Sequence, residues 1–363
     1  MFAMLCGAWP RVTSEGIDIA ALEAAVRDGR EAPAALEAAL AGLTAEVIAA
    51  QVGAGMDLVT DGQVRWADIG SAVLDAAATG SLGAEGPLVT AWRVASSGAT
   101  AGVTLAQAVP GPYTLGRRAI EVAVANAVAA GEEPPPESRR EAARGEVTVA
   151  FADGLSKEIE ALAAAGCRMI LVEEPDAVRI GEDQSERALF ASATTRLLAQ
   201  AGEIHPMLVI TGGSAHLAGP ETIFAAPWQS VLVDLIGGPD NWSVVRQAPG
   251  DRGIICAALT VRDDDVEVDQ SPQLVWAAHY AASASGRGID RVGLANASSL
   301  AGHTPAHARR ALTDLATAAR YAAMSPADAV AAGMDPRTIQ DPRPVPANRA
   351  ARRRQARTTT KDS

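Results

Sequence analysis

Two adjacent carboxylates followed by a proline, Glu173-Glu174-Pro175, close the apolar run Met169 to Val172. A short unbroken apolar run suits a strand buried on both faces, as in a parallel sheet, and Pro175 ends its ladder. Both acids then emerge at the strand's C-terminal end, where neighbouring carboxylates raise each other's pKa and can trade a proton with a ligand. The alternative role is an acid that caps a nearby turn. Further candidates stand at comparable positions. Asp61, Gln63, Arg65 and Asp68 crowd four polar groups into eight residues; one Arg–Asp pair there is expected to be internal, leaving Gln63 as the ligand contact. Arg11 follows the first apolar run and could clamp a carboxylate or phosphate through its fork, or pair with a local acid. Tyr113, on a Gly-Pro-bounded turn, suits substrate stacking or proton donation as well as core packing. Trp9 and Trp66 suit apolar pocket walls or the core. His216 is the one histidine near a middle-strand end, an acid/base candidate or a hydrogen-bonded structural residue. His303 and His307 bracket Pro305 at helical spacing, as exposed residues at a helix start do.

These residues need elements to position them. Strand-like runs fall at 2–9, 56–61, 103–109, 168–173, 207–211, 230–236, 253–259 and 289–295. Helical patterns lie between them, at 17–27, 34–52, up to Ala130, up to Ala165, at 185–201 and from Pro305 to Ala323. Residues 87–95 alternate and read as an antiparallel ribbon outside the repeat. Strands alternating with helices eight times predict a (β/α)8 TIM barrel with short inserts, whose chemistry sits at the C-terminal strand ends. A doubly wound sheet is the alternative, but no GxGxxG or Walker A pattern follows any strand. The barrel is expected to span 1–325. Residues 326–363, Pro-spaced and then Arg-rich over 349–357, are expected to form a largely disordered basic tail.

Hydrophobic residues make up 48% of the chain but aromatic ones only 4%, which favours many tightly packed helices over an all-β fold. Gly, Asp or Arg breaks the apolar stretches every few residues, so no membrane span is expected. The N-terminus lacks the basic region of a signal peptide. Three cysteines without CxxC spacing, Cys6, Cys167 and Cys256, fit a reducing compartment, and a cytoplasmic protein is expected. A net charge of -12 argues against nucleic acid. A small molecule is the expected partner, and a homodimer is left open.

The strand ends carry a resemblance. Gly7-Ala-Trp-Pro-Arg11, Asp57-Leu-Val-Thr-Asp-Gly-Gln-Val-Arg65, Pro110-Gly-Pro-Tyr-Thr114 and Val172-Glu-Glu-Pro175 follow in order the patterns Gly-Ser-x-Pro, Asp-x-x-x-x-Gly-Glu-x-x-Arg, Gly-Pro-x-Thr and Asp-Glu-Pro. The chain thus resembles the C-terminal catalytic barrel of cobalamin-independent methionine synthase, in the superfamily that also holds uroporphyrinogen decarboxylase. The resemblance implies a barrel, a site at the strand ends, and methyl transfer from a donor such as methyltetrahydrofolate or methylcobalamin. It also implies a zinc ion held by His-x-Cys after strand five, Glu after strand six and Cys after strand eight. Here those positions are Gly212-Gly-Ser214, Asp234 or Leu235, and Ala297 or Ser298. Thiolate and imidazole make such a site hold zinc, so zinc is not expected, unless Cys6, Cys256 and His216 converge as a relocated site. The family's amino-acid-binding Ser, Glu and Asp correspond to Ala8, Gln63 and Glu173, which fits homocysteine poorly. Three readings follow. One is a methyl- or alkyl-transferase barrel for a small polar substrate, its nucleophile activated by Glu173 or His216. The second is a decarboxylase or lyase in which Arg11 and Arg65 read carboxylates. The third is a barrel that has lost its chemistry and binds a ligand.

Overall fold

Short apolar runs, buried on both faces, build the sheet. Phe2–Met4, Leu58–Thr60, Thr104–Pro110, Met169–Glu173, His205–Ile210, Ser230–Asp234, Gly253–Leu259 and Val292–Asn296 form β1 to β8 in a computed structural model that describes residues 1–99, 102–261 and 269–334. The acidic stretch 262–268 and the part of the expected 326–363 tail from 335 onward lie outside the described residues, while the start of that tail, Pro326–Ala331, is helical rather than disordered. Every strand pair is parallel, in the order β1-β8-β7-β6-β5-β4-β3-β2. The two end strands meet just past their C-termini, where the Trp9 amide donates to the Gly62 carbonyl at 2.8 Å. This is the expected (β/α)8 barrel.

Side chains sort by strand face. Met4, Leu58, Ala106, Met169, Leu171, Met207, Val209, Leu232, Ile255 and Ala295 fill the interior, while their neighbours Ile170, Val172, Leu208, Val231, Val233 and Ile254 pack outward against the helices. Successive strand residues point to opposite faces, and each fully buried aliphatic side chain contributes about 1.5–3 kcal/mol of burial.

The helices run α1 Ile19–Arg27, α2 Pro33–Ala54, α3 Ile69–Ala78, α4 Pro87–Ser97, α5 Pro112–Ala129, α6 Glu137–Ala164, α7 Gln184–Leu197, α8 Pro220–Ile223, α9 Trp242–Gln247, α10 Ser271–Ser283, α11 Pro305–Ala323 and α12 Pro326–Ala331. Two expectations are corrected. The stretch 87–95 is helix α4, begun by Pro87 at its first turn. Leu88, Ala91, Trp92 and Ala95 are buried there at helical spacing, so the apparent alternation sampled a helix face. The chain also does contain one stretch apolar enough to cross a membrane by length and composition. Helix α2 has 22 residues, and an 18-residue window of it has a mean hydropathy of 1.4 and at most two charges, because Gly42 and Gly53 weaken a helix without ending it. In the barrel, Leu40, Leu43, Val47 and Ile48 of α2 pack into the core. Buried Gln51 holds β2 in place, donating to the Thr60 carbonyl at 2.7 Å and accepting from its amide at 3.0 Å.

Candidate active site

Strand alternation separates the two acids at the end of β4. Glu173 continues the interior row of Met169 and Leu171 and lines a cavity of about 240 Å³ at the barrel mouth, together with Cys6, Gln63, Trp66, Asp68 and Arg118. Glu174 turns the other way and is 0% exposed. Its carboxylate accepts from the Tyr113 amide at 3.0 Å, the Thr114 amide at 2.8 Å and the Thr114 hydroxyl at 2.7 Å. These are free donors of the first turn of α5, whose N-cap Gly111 offers no side chain. A Cβ at Gly111 would lie 2.0 Å from the Glu174 carboxyl carbon, so glycine leaves the room the acid occupies. Burial pushes Glu174 up to about 7 against those three donors. Glu174 is spent on holding α5 to β4, as a cap supplied from a distance.

Glu173 is built for a different task. Among the described residues the one hydrogen-bond donor to its carboxyl is the Gln63 side-chain amide, at 2.6 Å. Burial raises its pKa to about 7; the charges of Asp61 and Asp68 push the same way, while the Gln63 donor and Arg118 oppose them. A carboxyl poised there can take or give a proton near neutrality. Gln63 has a left-handed backbone, φ 54°, a strained conformation for a side-chain-bearing residue. Asp61 holds that turn by accepting the Gln63 amide at 2.9 Å. It is buried, and its Oδ2 has no partner among the described residues. Burial raises its pKa, outweighing that amide and Arg65. Asp68 caps α3 through Ser71 and receives Arg118 Nη1 at 2.7 and 2.9 Å. Although burial works against its charge, the donors of Arg118 and Ser71 hold its pKa below the ordinary carboxylate range.

The structure gathers Glu173, Gln63, Asp68 and Trp66 at one cavity and places the other candidates elsewhere. Trp9 is buried in the core, 2% exposed. Tyr113 packs edge-on against Phe190, stacks under Arg117 and donates its hydroxyl to Glu186. Burial, then that carboxylate, raises its pKa. His216 sits in the short 3-10 turn after β5, off the cavity lining, with its Nδ1 buried and without a partner among the described residues. His307 joins the cap of α11 beside Thr304. Arg11 spends its fork on Glu23 and its Nε on the Val64 carbonyl at 2.9 Å. Arg65 pairs with Glu37 at 2.6 Å. A decarboxylase reading needs both arginines at the mouth, and both are tied up away from it. Arg118 is a cavity residue that went unread in the sequence, and Thr114 entered there only as part of a motif. Arg118 stands four residues after Thr114, the spacing that puts two side chains on one helix face.

The strand-five to strand-eight side of the mouth is spent on its own backbone. Asp234 accepts the amides of Gly212, Ile236 and Gly237 at 3.2, 2.9 and 2.8 Å. Asn241 donates to the Gly213 and Asp234 carbonyls and accepts from Ala215. Asn296 ties β8 to the Cys6 backbone. These residues do not fit a zinc ion. Asp234 has its oxygens committed to amides, and Gly212, Ser214, Ala297 and Ser298 bring no thiolate or imidazole. A relocated site fails on strand geometry, since Cys6 faces the interior cluster and Cys256 the outer one, with the Cys256 thiol toward the Ala277 carbonyl of α10. Among the described residues, no three His, Cys, Asp or Glu side chains are grouped to hold a metal ion.

Solved structures share this architecture. A structural-genomics target from Listeria monocytogenes, assigned as a vitamin-B12 independent methionine synthase, matches with a TM-score of 0.61 and 13% identity over 89% of this chain and 96% of that one. A B12-independent methionine synthase from Shewanella sp. W3-18-1, in complex with selenomethionine, matches with a TM-score of 0.63 and 12% identity over 88% and 96%. At such identities the likeness establishes the barrel fold and supports the resemblance at that level. No family model matches the chain, and no curated protein does.

Proposed function

We propose that the protein is a methyl- or alkyl-transferase of the methionine-synthase-like barrel type, acting on a small polar substrate without a zinc-thiolate centre. The observation that carries the reading is Glu173: a carboxyl at the mouth of the barrel, raised to about 7 and aimed by Gln63. The order of strand-end motifs and the shared fold support it.

In this reading the substrate's nucleophile gives its proton to Glu173 and attacks the methyl carbon. The new bond to carbon forms as the donor's bond to it breaks, and that electron pair stays with the donor. No covalent enzyme intermediate is needed, so positioning dominates: Trp66 supplies an apolar wall and Gln63 fixes the base. His216, off the cavity, drops out as the activating group. The open cavity with a reactive carboxyl is also what a barrel that has lost its chemistry would lack.

The donor would be of the methyltetrahydrofolate or methylcobalamin kind. Calorimetric titration of the folded protein with each tests this: binding of one is expected, and binding of neither removes the donor assignment.

A further inference from the structure

Arg11, Arg65 and Arg118 follow β1, β2 and β3 in the chain, and they are used differently. Arg11 commits both ends of its fork to Glu23 and its Nε to a carbonyl. Arg65 lies on Glu37, its Nη1 buried without a partner among the described residues. Arg118 alone of the three lines the cavity, with its side chain 37% exposed. Asp68 engages it through Nη1 only, with both carboxylate oxygens on that one nitrogen. The Nε–Nη2 edge of Arg118 makes no hydrogen bond among the described residues. Gly70 makes the placement possible: a Cβ there would lie 2.5 Å from Arg118 Nη1. The guanidinium therefore lies over the start of α3 in space kept clear by the absence of a side chain.

A free Nε–Nη2 edge presents two parallel N–H donors, the pattern that a planar carboxylate accepts in pairs. We propose that Arg118 is the specificity residue of this site, and that its Nε–Nη2 edge binds the carboxylate of a small monocarboxylic substrate whose protic group lies toward Glu173. The proposal rests on the transferase reading for the role of Glu173, and it names the class of molecule that site takes. The charge balance favours a monocarboxylate over a phosphate. One guanidinium shares the cavity with the carboxyl groups of Asp68 and Glu173, so a dianion would face two like charges for one cation. A single carboxylate brings one charge rather than two, and its two oxygens match the two free N–H donors, with its neutral body against the apolar surfaces of Trp66, Ile69 and Pro110.

The test is titration of the full chain with lactate, lactamide and inorganic phosphate, in the absence of any methyl donor. Because no transfer is read, its outcome does not depend on whether the protein is a transferase. Lactate should bind, and lactamide should bind about tenfold or more weakly, the ratio that losing a charge-assisted pair predicts. Arg118→Met should erase the difference, and Arg118→Lys, which keeps the charge but not the planar fork, should keep part of it. Asp68→Asn retains a capping side chain for α3 and removes the competing charge, so it should tighten lactate binding. Equal affinity for lactate and lactamide, tighter binding of phosphate, or no lactate binding to the folded protein would each overturn the proposal. So would unaltered lactate affinity in Arg118→Met. Should that variant fail to fold, Asp68→Asn decides, and unchanged lactate affinity there counts against the proposal.

Discussion

The two halves of the barrel mouth use polar side chains in opposite ways. From β5 to β8, Asp234, Asn241 and Asn296 direct their polar atoms at backbone amides and carbonyls, and that side lends the cavity small residues such as Thr211 and Ser299 rather than charged ones. From β2 to β4, Gln63, Asp68, Arg118 and Glu173 line a cavity and contact one another mainly through single edges, so hydrogen-bonding capacity is left over. A buried polar group fully satisfied by backbone stabilises a turn. A desolvated carboxyl with one donor keeps a raised pKa and can exchange a proton. The division also runs through one dipeptide, since Glu174 caps a helix while Glu173 faces the cavity.

The largest effect that would break or sharpen this division is on turnover. Glu173→Gln should lower methyl transfer by about 10²–10⁴-fold, the range of a positioned proton acceptor, while thermal unfolding shows no loss of stability, because a desolvated carboxyl has been removed. Asp234→Ala should do the reverse. Its three amides lose their acceptor, and denaturant unfolding should show a cost of about 1–3 kcal/mol, with the pH dependence of any activity unmoved. Turnover lost at Asp234 without a stability change would mean that the second half is catalytic after all. Arg65→Met probes an arginine that sequence placed at the ligand. Its partner Glu37 is 61% exposed although Arg65 itself is only 13% exposed, so the ion pair should contribute at most about 1 kcal/mol, the methionine keeps most of the buried stem's packing, and ligand affinity should not move. The smallest effect expected is none: chelator should leave the melting temperature unchanged, and metal analysis should find no stoichiometric zinc. About one tightly held zinc per chain would show that the second half is not merely structural.

Much of the scaffold was legible because its causes are local. The apolar runs gave β4, and β7 at Gly253–Leu259 and α11 at Pro305–Ala323 match their expected bounds, one as an unbroken apolar run and the other by a proline at its first turn. Helix α4 was misread because a few apolar positions spaced two and three apart suit either period until its Pro87 start is weighed. The separation of Glu173 from Glu174 was readable in principle, since counting by twos from Met169 reaches 173 and not 174. The fates of Arg11 and Arg65 were not. Their partners Glu23 and Glu37 are 12 and 28 residues away on separate helices, and only the packed barrel brings them together. Tyr113 was drawn from the site by Glu186, 73 residues on, for the same reason. Arg118 was hidden by its ordinary place in a helix, where only its spacing from Thr114 hinted at a shared face.

The central claim is that Glu173 is a proton-exchanging group, and its carboxyl can be followed directly. In a carbon-13 NMR titration of the glutamate-labelled protein, the resonance missing from Glu173→Gln is the Glu173 carboxyl. It should titrate at about 7, well above the ordinary glutamate value of 4.5. In Gln63→Asn, which tolerates the left-handed backbone but is too short to reach across, its midpoint should move higher still, because a donor to the charged form has gone. A midpoint near 4.5 in the folded wild-type protein, unmoved by the change at Gln63, would contradict the account.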